Sequence, residues 1–147
     1  MAVPLKRPVE RPAQGLDHVT IATTSYRTAR DFYLRALRPL GFAISFDWPD
    51  GGRATFALPQ AASCVWIVET EEAGRVSLSL AAPDRGTVDA FFDAAVAAGG
   101  RPHSAPGIRA EYTARTYAAE VLDPEGNRLE AVCWRADPLP ASALHAA

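Results

Sequence analysis

Two short segments of the chain alternate strictly between apolar and polar residues. In 16–23, Val19 and Ile21 fall on one side and His18, Thr20 and Ala22 on the other. In 75–82, Val76, Leu78 and Leu80 oppose Ser77 and Ser79. Period-two ordering of this kind predicts a strand with one face buried. After each segment the apolar spacing changes to three and four residues. Tyr26, Ala29, Tyr33, Ala36, Leu37 and Leu40 follow the cap-type residues Thr24 and Ser25. Val88, Phe91, Phe92, Ala95 and Val96 follow Pro83 and Asp84 and stop at Gly99 and Gly100. These stripes predict two amphipathic helices, capped at their starts and closed by glycine.

Three strand-like runs follow each helix. In the first half they are 42–48, 53–58 and 63–69, separated by Pro49-Asp50-Gly51-Gly52 and by Pro59-Gln60. In the second half they are read as roughly 108–113, 115–122 and 127–134, the last two joined around Asp123-Pro124-Glu125-Gly126-Asn127. Clusters of Gly, Pro, Asn and Asp between alternating runs are hairpin signals. The halves repeat at an offset of 59, which carries His18 to Ser77, Val19 to Leu78, Ile21 to Leu80, Phe32 to Phe91, Tyr33 to Phe92 and Gly41 to Gly100. The expected fold class is therefore α+β, built as βαβββ twice. The modules span about 16–70 and 75–135 and must pack together to cover their sheets. Residues 1–15, with three prolines, are expected to be a flexible arm, and 136–147 a tail.

Composition narrows the function classes. The 147 residues suffice for one domain of ordinary size. Fifteen Lys and Arg against seventeen Asp and Glu leave a net charge of −2, so no basic footprint points to nucleic acid or an anionic membrane. Apolar runs fall far short of the roughly 20 residues that span a bilayer. Cys64 and Cys133 sit inside apolar strand runs, which suits buried thiols in a reducing cytoplasm and not a disulfide framework. What remains is a cytoplasmic domain that handles a small molecule or another protein.

The segments LDHVTIAT, RVSLSLAAPDRGTVDAFFDAAVAAGG and YAAEVLDPEGNRLEAV together resemble the vicinal oxygen chelate superfamily of glyoxalase I, bleomycin-resistance proteins and extradiol dioxygenases. The resemblance covers about 120 residues and is most specific in DPEGNRLEAV. It implies two βαβββ modules whose mixed sheets curl into a cup around a divalent metal (zinc, nickel, manganese or iron), commonly in a homodimer. By position, His18 matches the first-strand histidine ligand and Glu130 the last-strand glutamate. The fifth-strand histidine falls on Ser77, and 63–68 in the fourth strand holds no acid, with Glu69 only at its end. The implied metal set is therefore short of one or two ligands.

Glu120 offers a replacement, standing where the related pattern usually has a bulky apolar residue. A hairpin symmetric about Glu125 sets Glu120 opposite Glu130, with Cβ atoms about 4.5–5.5 Å apart. Two such acids cannot both ionise cheaply in a dry cup, so one holds a proton or a cation lies between them. The catalytic or metal-ligating set is thus expected to be His18, Glu120 and Glu130. Ser77, Ser79, Trp66, Arg128 and Tyr117 are expected to line the substrate site. Trp48, Phe46 and Phe56 fit core as well as pocket. Arg53, Arg109, Arg115 and especially Arg128, which alternates with Glu130, offer contacts to an anionic substrate or else read as solvated surface charges, and His103 and His145 read as bystanders. Proton transfer beside a carbonyl, by a lyase or isomerase, is the leading expectation. A metal-free protein that sequesters an antibiotic or hydrophobic metabolite is the alternative, and an extradiol-type dioxygenase comes last.

Overall fold

The computed structural model describes residues 15–59, 61 and 63–135; the expected arm up to 14 and the tail from 136 lie outside them. The first module runs β1 (His18–Thr23), α1 (Tyr26–Ala36), β2 (Ala43–Trp48), β3 (Arg53–Ala57) and β4 (Cys64–Glu69). The second runs β5 (Ser77–Ala81), α2 (Arg85–Ala97), β6 (Arg101–Ile108), β7 (Tyr117–Leu122) and β8 (Arg128–Cys133). Each module forms a four-stranded mixed sheet, ordered β1-β4-β3-β2 and β5-β8-β7-β6, with the first strand parallel to the last. No strand pairing joins the two sheets among the described residues.

The helices start where the cap residues dictate. Ser25 accepts a hydrogen bond from the Thr28 amide, and Asp84 accepts one from the Thr87 amide. Their apolar stripes then meet each other and one face of each sheet. Tyr26, Ala29, Phe32, Tyr33 and Ala36 of α1 and Val88, Phe91 and Ala95 of α2 share a single core with Ile21, Phe56, Val65, Ile67, Val121, Leu129 and Ala131. Alternation then assigns the neighbouring residues of each strand to the helix-free face. Phe56 is core, whereas Trp48 is exposed at the end of β2.

The matched glycines of the repeat serve different ends. Gly41 takes a left-handed backbone with φ of 87° after the 3-10 turn Arg38–Leu40, a conformation glycine adopts without penalty. Gly100 is small for packing, because a Cβ there would lie 2.8 Å from the Ala95 carbonyl oxygen.

One strand differs from expectation. β6 occupies Arg101–Ile108, and 109–116 is a loop, in place of a strand over 108–113. Pro102 and Pro106 argue against a strand in sequence, but β6 lies at the sheet edge, where a missing amide donor costs no ladder bond. Two register shifts, after Pro102 and after Ser104, absorb the irregularity. The shift also breaks the repeat. Its offset of 59 holds through β6, and Tyr117 and Arg128, which open β7 and β8, lie 64 beyond Arg53 and Cys64.

The DPEGN segment ties the modules together. Buried Asp123 accepts hydrogen bonds from the amides of Glu125 and Asn127, from the Asn127 side chain and, at 2.6 Å, from the Tyr33 hydroxyl of α1. Burial, reinforced by Asp123, pushes the Tyr33 phenol well above its ordinary range. Glu125 reaches across to the other module and accepts from the Thr24 amide at 2.7 Å and from the Thr24 hydroxyl. Burial opposes the Glu125 charge, but these bonds outweigh it and hold the carboxyl below its usual range. The specificity of this segment is thus structural: it builds a tight turn and docks it onto the start of α1.

Candidate functional site

The helix-free face of the second sheet collects most of the polar side chains singled out in the sequence. β5, β8 and β7 run side by side, and one row across them reads Ser79, Glu130, Glu120. Glu120 and Glu130 are direct cross-strand partners, the register that symmetry about Glu125 gives. A neighbouring row reads Ser77, Arg128, Leu122. Leu129, Ala131 and Val121 point the other way into the helix-side core, which fixes the orientation of their neighbours. Ala118 and Val132, on the same face as the acids, are also buried while standing outside that core. The face is therefore polar, buried around Glu130 and open at Ser77, Ser79 and Arg128, which are exposed.

Each acid has its own company. Glu130 is 5% exposed, and its Oε1 accepts a hydrogen bond of 2.7 Å from the Ser79 hydroxyl. The Glu120 side chain is 14% exposed and sits between an imidazole and a guanidinium, with Oε2 3.7 Å from His103 Nε2 and Oε1 3.7 Å from Arg128 Nη1. Both distances exceed an ordinary hydrogen bond. Arg128 itself is braced by its Nε, which donates to the Ser77 hydroxyl at 2.9 Å. Ser104 of β6 pairs with Glu120 and receives Arg109 Nη2 at 2.7 Å.

His103 and Arg109 thus join the cluster, although the sequence marked His103 as a bystander and left Arg109 between a substrate contact and the surface. The missed signal was β6 itself: once 101–108 is a strand, both lie beside the strand that carries Glu120.

Tyr117 needs the opposite correction. It does not line this face, because it stands three residues from Glu120 on one strand and so points to the other side. There its hydroxyl donates to Asp89 of α2 at 2.7 Å, and the Arg85 guanidinium lies over its ring.

His18 and Trp66 occupy the corresponding face of the first sheet. Their rings stack in parallel, with centroids 3.9 Å apart. His18 Nδ1 lies 2.6 Å from Asp17 Oδ1, and the Trp66 indole N–H donates to Cys64 Sγ. No hydrogen bond or ion pair joins His18 to Glu120 or Glu130 among the described residues.

A divalent ion of the kind the resemblance implies does not fit this donor set. Among the described residues, no three His, Cys, Asp or Glu side chains converge as a metal site. The fifth-strand position carries Ser77, whose hydroxyl accepts from a guanidinium. That fixed cation lies beside Glu120, in the space where a second cation would meet repulsion.

The fold is found in proteins of one wide family. The family model for the Glyoxalase/Bleomycin resistance protein/Dioxygenase superfamily matches residues 15–131. A glyoxalase/bleomycin resistance protein from Albidiferax ferrireducens T118 superposes with a TM-score of 0.70 at 25% identity, over 82% of this chain and 98% of that one. A glyoxalase-related enzyme from Fulvimarina pelagi gives 0.66 at 17% identity, over 87% and 94%. A lactoylglutathione lyase from Agrobacterium tumefaciens gives 0.62 at 15%, over 87% and 96%. The last two likenesses speak for the fold alone. Among curated proteins no match is found. With the family matched over most of its length and the paired βαβββ modules in place, the chain belongs to the Glyoxalase/Bleomycin resistance protein/Dioxygenase superfamily.

Proposed function

We propose that this protein is a lyase or isomerase that moves a proton beside the carbonyl of a small carbonyl or hydroxy-carbonyl compound. The observation that carries the reading is the Glu120–Glu130 cross-strand pair, both side chains largely buried. Two carboxyl groups at that spacing, with different surroundings, divide naturally into a base and an acid. Glu120 is not tied down by a hydrogen bond among the described residues, and it is the base that takes the proton from the carbon next to the carbonyl. Glu130, held by Ser79, donates a proton to the carbonyl oxygen, which gives the enol or enediol. In an isomerisation the proton on Glu120 passes to the former carbonyl carbon while the neighbouring hydroxyl returns its proton to Glu130. In an elimination the enolate instead expels a leaving group from the next carbon, and that group takes the proton from Glu130. Both free thiols, Cys64 and Cys133, suit a reducing compartment such as the cytoplasm. No helix among the described residues is long and apolar enough to cross a membrane.

The experiment is proton exchange in D2O. Hydroxyacetone, dihydroxyacetone, glyceraldehyde and pyruvate are incubated with the protein, and loss of the C–H signal beside the carbonyl is followed by NMR. Exchange well above the buffer rate, lost in Glu120→Gln, is the expected result. Binding without exchange on every compound would replace the enzyme by the sequestering protein. That second reading is favoured by one observation, the Ser77–Arg128 contact where a metal-ligating histidine would stand.

A further inference from the structure

The geometry points to Arg128 as the anchor for a carboxylate on the ligand, a fixed guanidinium standing in for the divalent cation of the fold; the inference rests on the proposed reading for where the ligand lies. Arg128 and Ser77 are register partners on β8 and β5, so the brace is built into the sheet. With Nε donating to Ser77 at 2.9 Å, the plane of the guanidinium is held while its outer edge stays open. Nη1 is 3.7 Å from Glu120, too far for a hydrogen bond, and Nη2 donates none among the described residues. The side chain is 48% exposed, so that edge reaches solvent. A planar fork with two open N–H groups matches a carboxylate bidentately, which a point charge cannot do.

The surrounding charges permit an anion. Glu120 and Glu130 are offset by Arg128 and by Arg109, which reaches Ser104 in the next position of the row, with His103 adding a further ionisable nitrogen beside Glu120. An anion anchored on Arg128 leaves the next carbon of the ligand toward Glu120, since the guanidinium and that carboxylate are neighbours across the sheet. The ligand class is accordingly a small 2-oxo- or hydroxy-carboxylate. A metal cluster would hold such a ligand through its oxygens by exchangeable coordination. Here the same oxygens meet a charge that is part of the chain.

The test is an NMR titration of isotope-labelled protein with pyruvate, glycolate and the uncharged hydroxyacetone. The expected result is at least a tenfold preference for the carboxylates in the wild type. Arg128→Gln removes the preference by weakening the carboxylates at least tenfold more than hydroxyacetone, and Arg128→Lys, which keeps the charge without the fork, loses most of it. Equal affinities in the wild type, or a preference that survives Arg128→Gln, would overturn the anchor. A Mn2+ titration followed by water-proton relaxation supplies the second arm. Saturable binding to the wild type that vanishes in Glu130→Gln would overturn the replacement of the cation, and no saturable binding supports it. Because binding is read without turnover, a carboxylate preference without D2O exchange would keep the anchor and sink the proton-transfer reading; exchange without the preference would do the reverse.

Discussion

Set side by side, the two modules share a core and differ on the face that looks away from the helices. The row Thr20, Trp66, Thr55 in the first sheet corresponds to Ser79, Glu130, Glu120 in the second, and the pair His18, Cys64 corresponds to Ser77, Arg128. Phe32 and Phe91 hold matching places in the helices and the same core. One face thus carries an indole stacked on an imidazole, and the other two carboxylates and a guanidinium. The lesson is about constraint. Core positions must fill a shared volume, so their apolar character is retained in both halves. Helix-free positions answer only to what they meet outside the core, and in this chain they have gone separate ways.

The largest effect that would break or sharpen this contrast is on chemistry. Glu120→Gln and Glu130→Gln should each slow exchange by about 10²–10⁴-fold, the usual worth of a positioned acid or base. His18→Gln, on the aromatic face, should change the rate far less. Equal losses from both faces would mean that the ligand bridges the two sheets.

Next comes the joint between modules. Tyr33→Phe removes a buried hydrogen bond to Asp123 and should cost about 1–2 kcal/mol, read as a lowered Tm or denaturation midpoint. No change would show that the other donors to Asp123 suffice.

The third is pH dependence. The folded Glu125 carboxyl lies below its unfolded value, so its stabilisation is present above that value, about 4.3 for glutamate, and is lost as pH falls through the folded one. Asp47, held down by the hydrogen bonds from Arg30, adds a loss of the same sign. Wild-type stability should fall more steeply on acidification than that of Glu125→Gln, and parallel curves would remove Glu125 as a contributor. The smallest effect belongs to the edge. Pro102→Ala in β6 should move stability by no more than about 0.5 kcal/mol, because no inner ladder bond depends on that amide.

The same contrast explains what the sequence made legible. β1 and β5 stood out because one face of each strand is buried and the other is not, and the caps Ser25 and Asp84 marked both helices. Glu120 and Glu130 could be set opposite each other because a short hairpin fixes register. β6 was hidden because its prolines are tolerated only at an edge, and nothing local tells an edge from an interior strand. His103 and Arg109 were hidden with it. Tyr117 was placed on the wrong side although parity along one strand already separated it from Glu120. That no hydrogen bond or ion pair joins His18 to the acids was beyond local pattern altogether, since it depends on how two sheets without mutual pairing are set relative to each other.

The account stands most directly on where a ligand sits. Backbone and side-chain shift mapping with pyruvate measures this without any assumption about turnover. The account predicts shifts centred on Ser77, Ser79, Glu120, Arg128 and Glu130, with His18 and Trp66 little affected. Shifts centred on His18, Trp66 and Cys64, with the carboxylate pair silent, would contradict it.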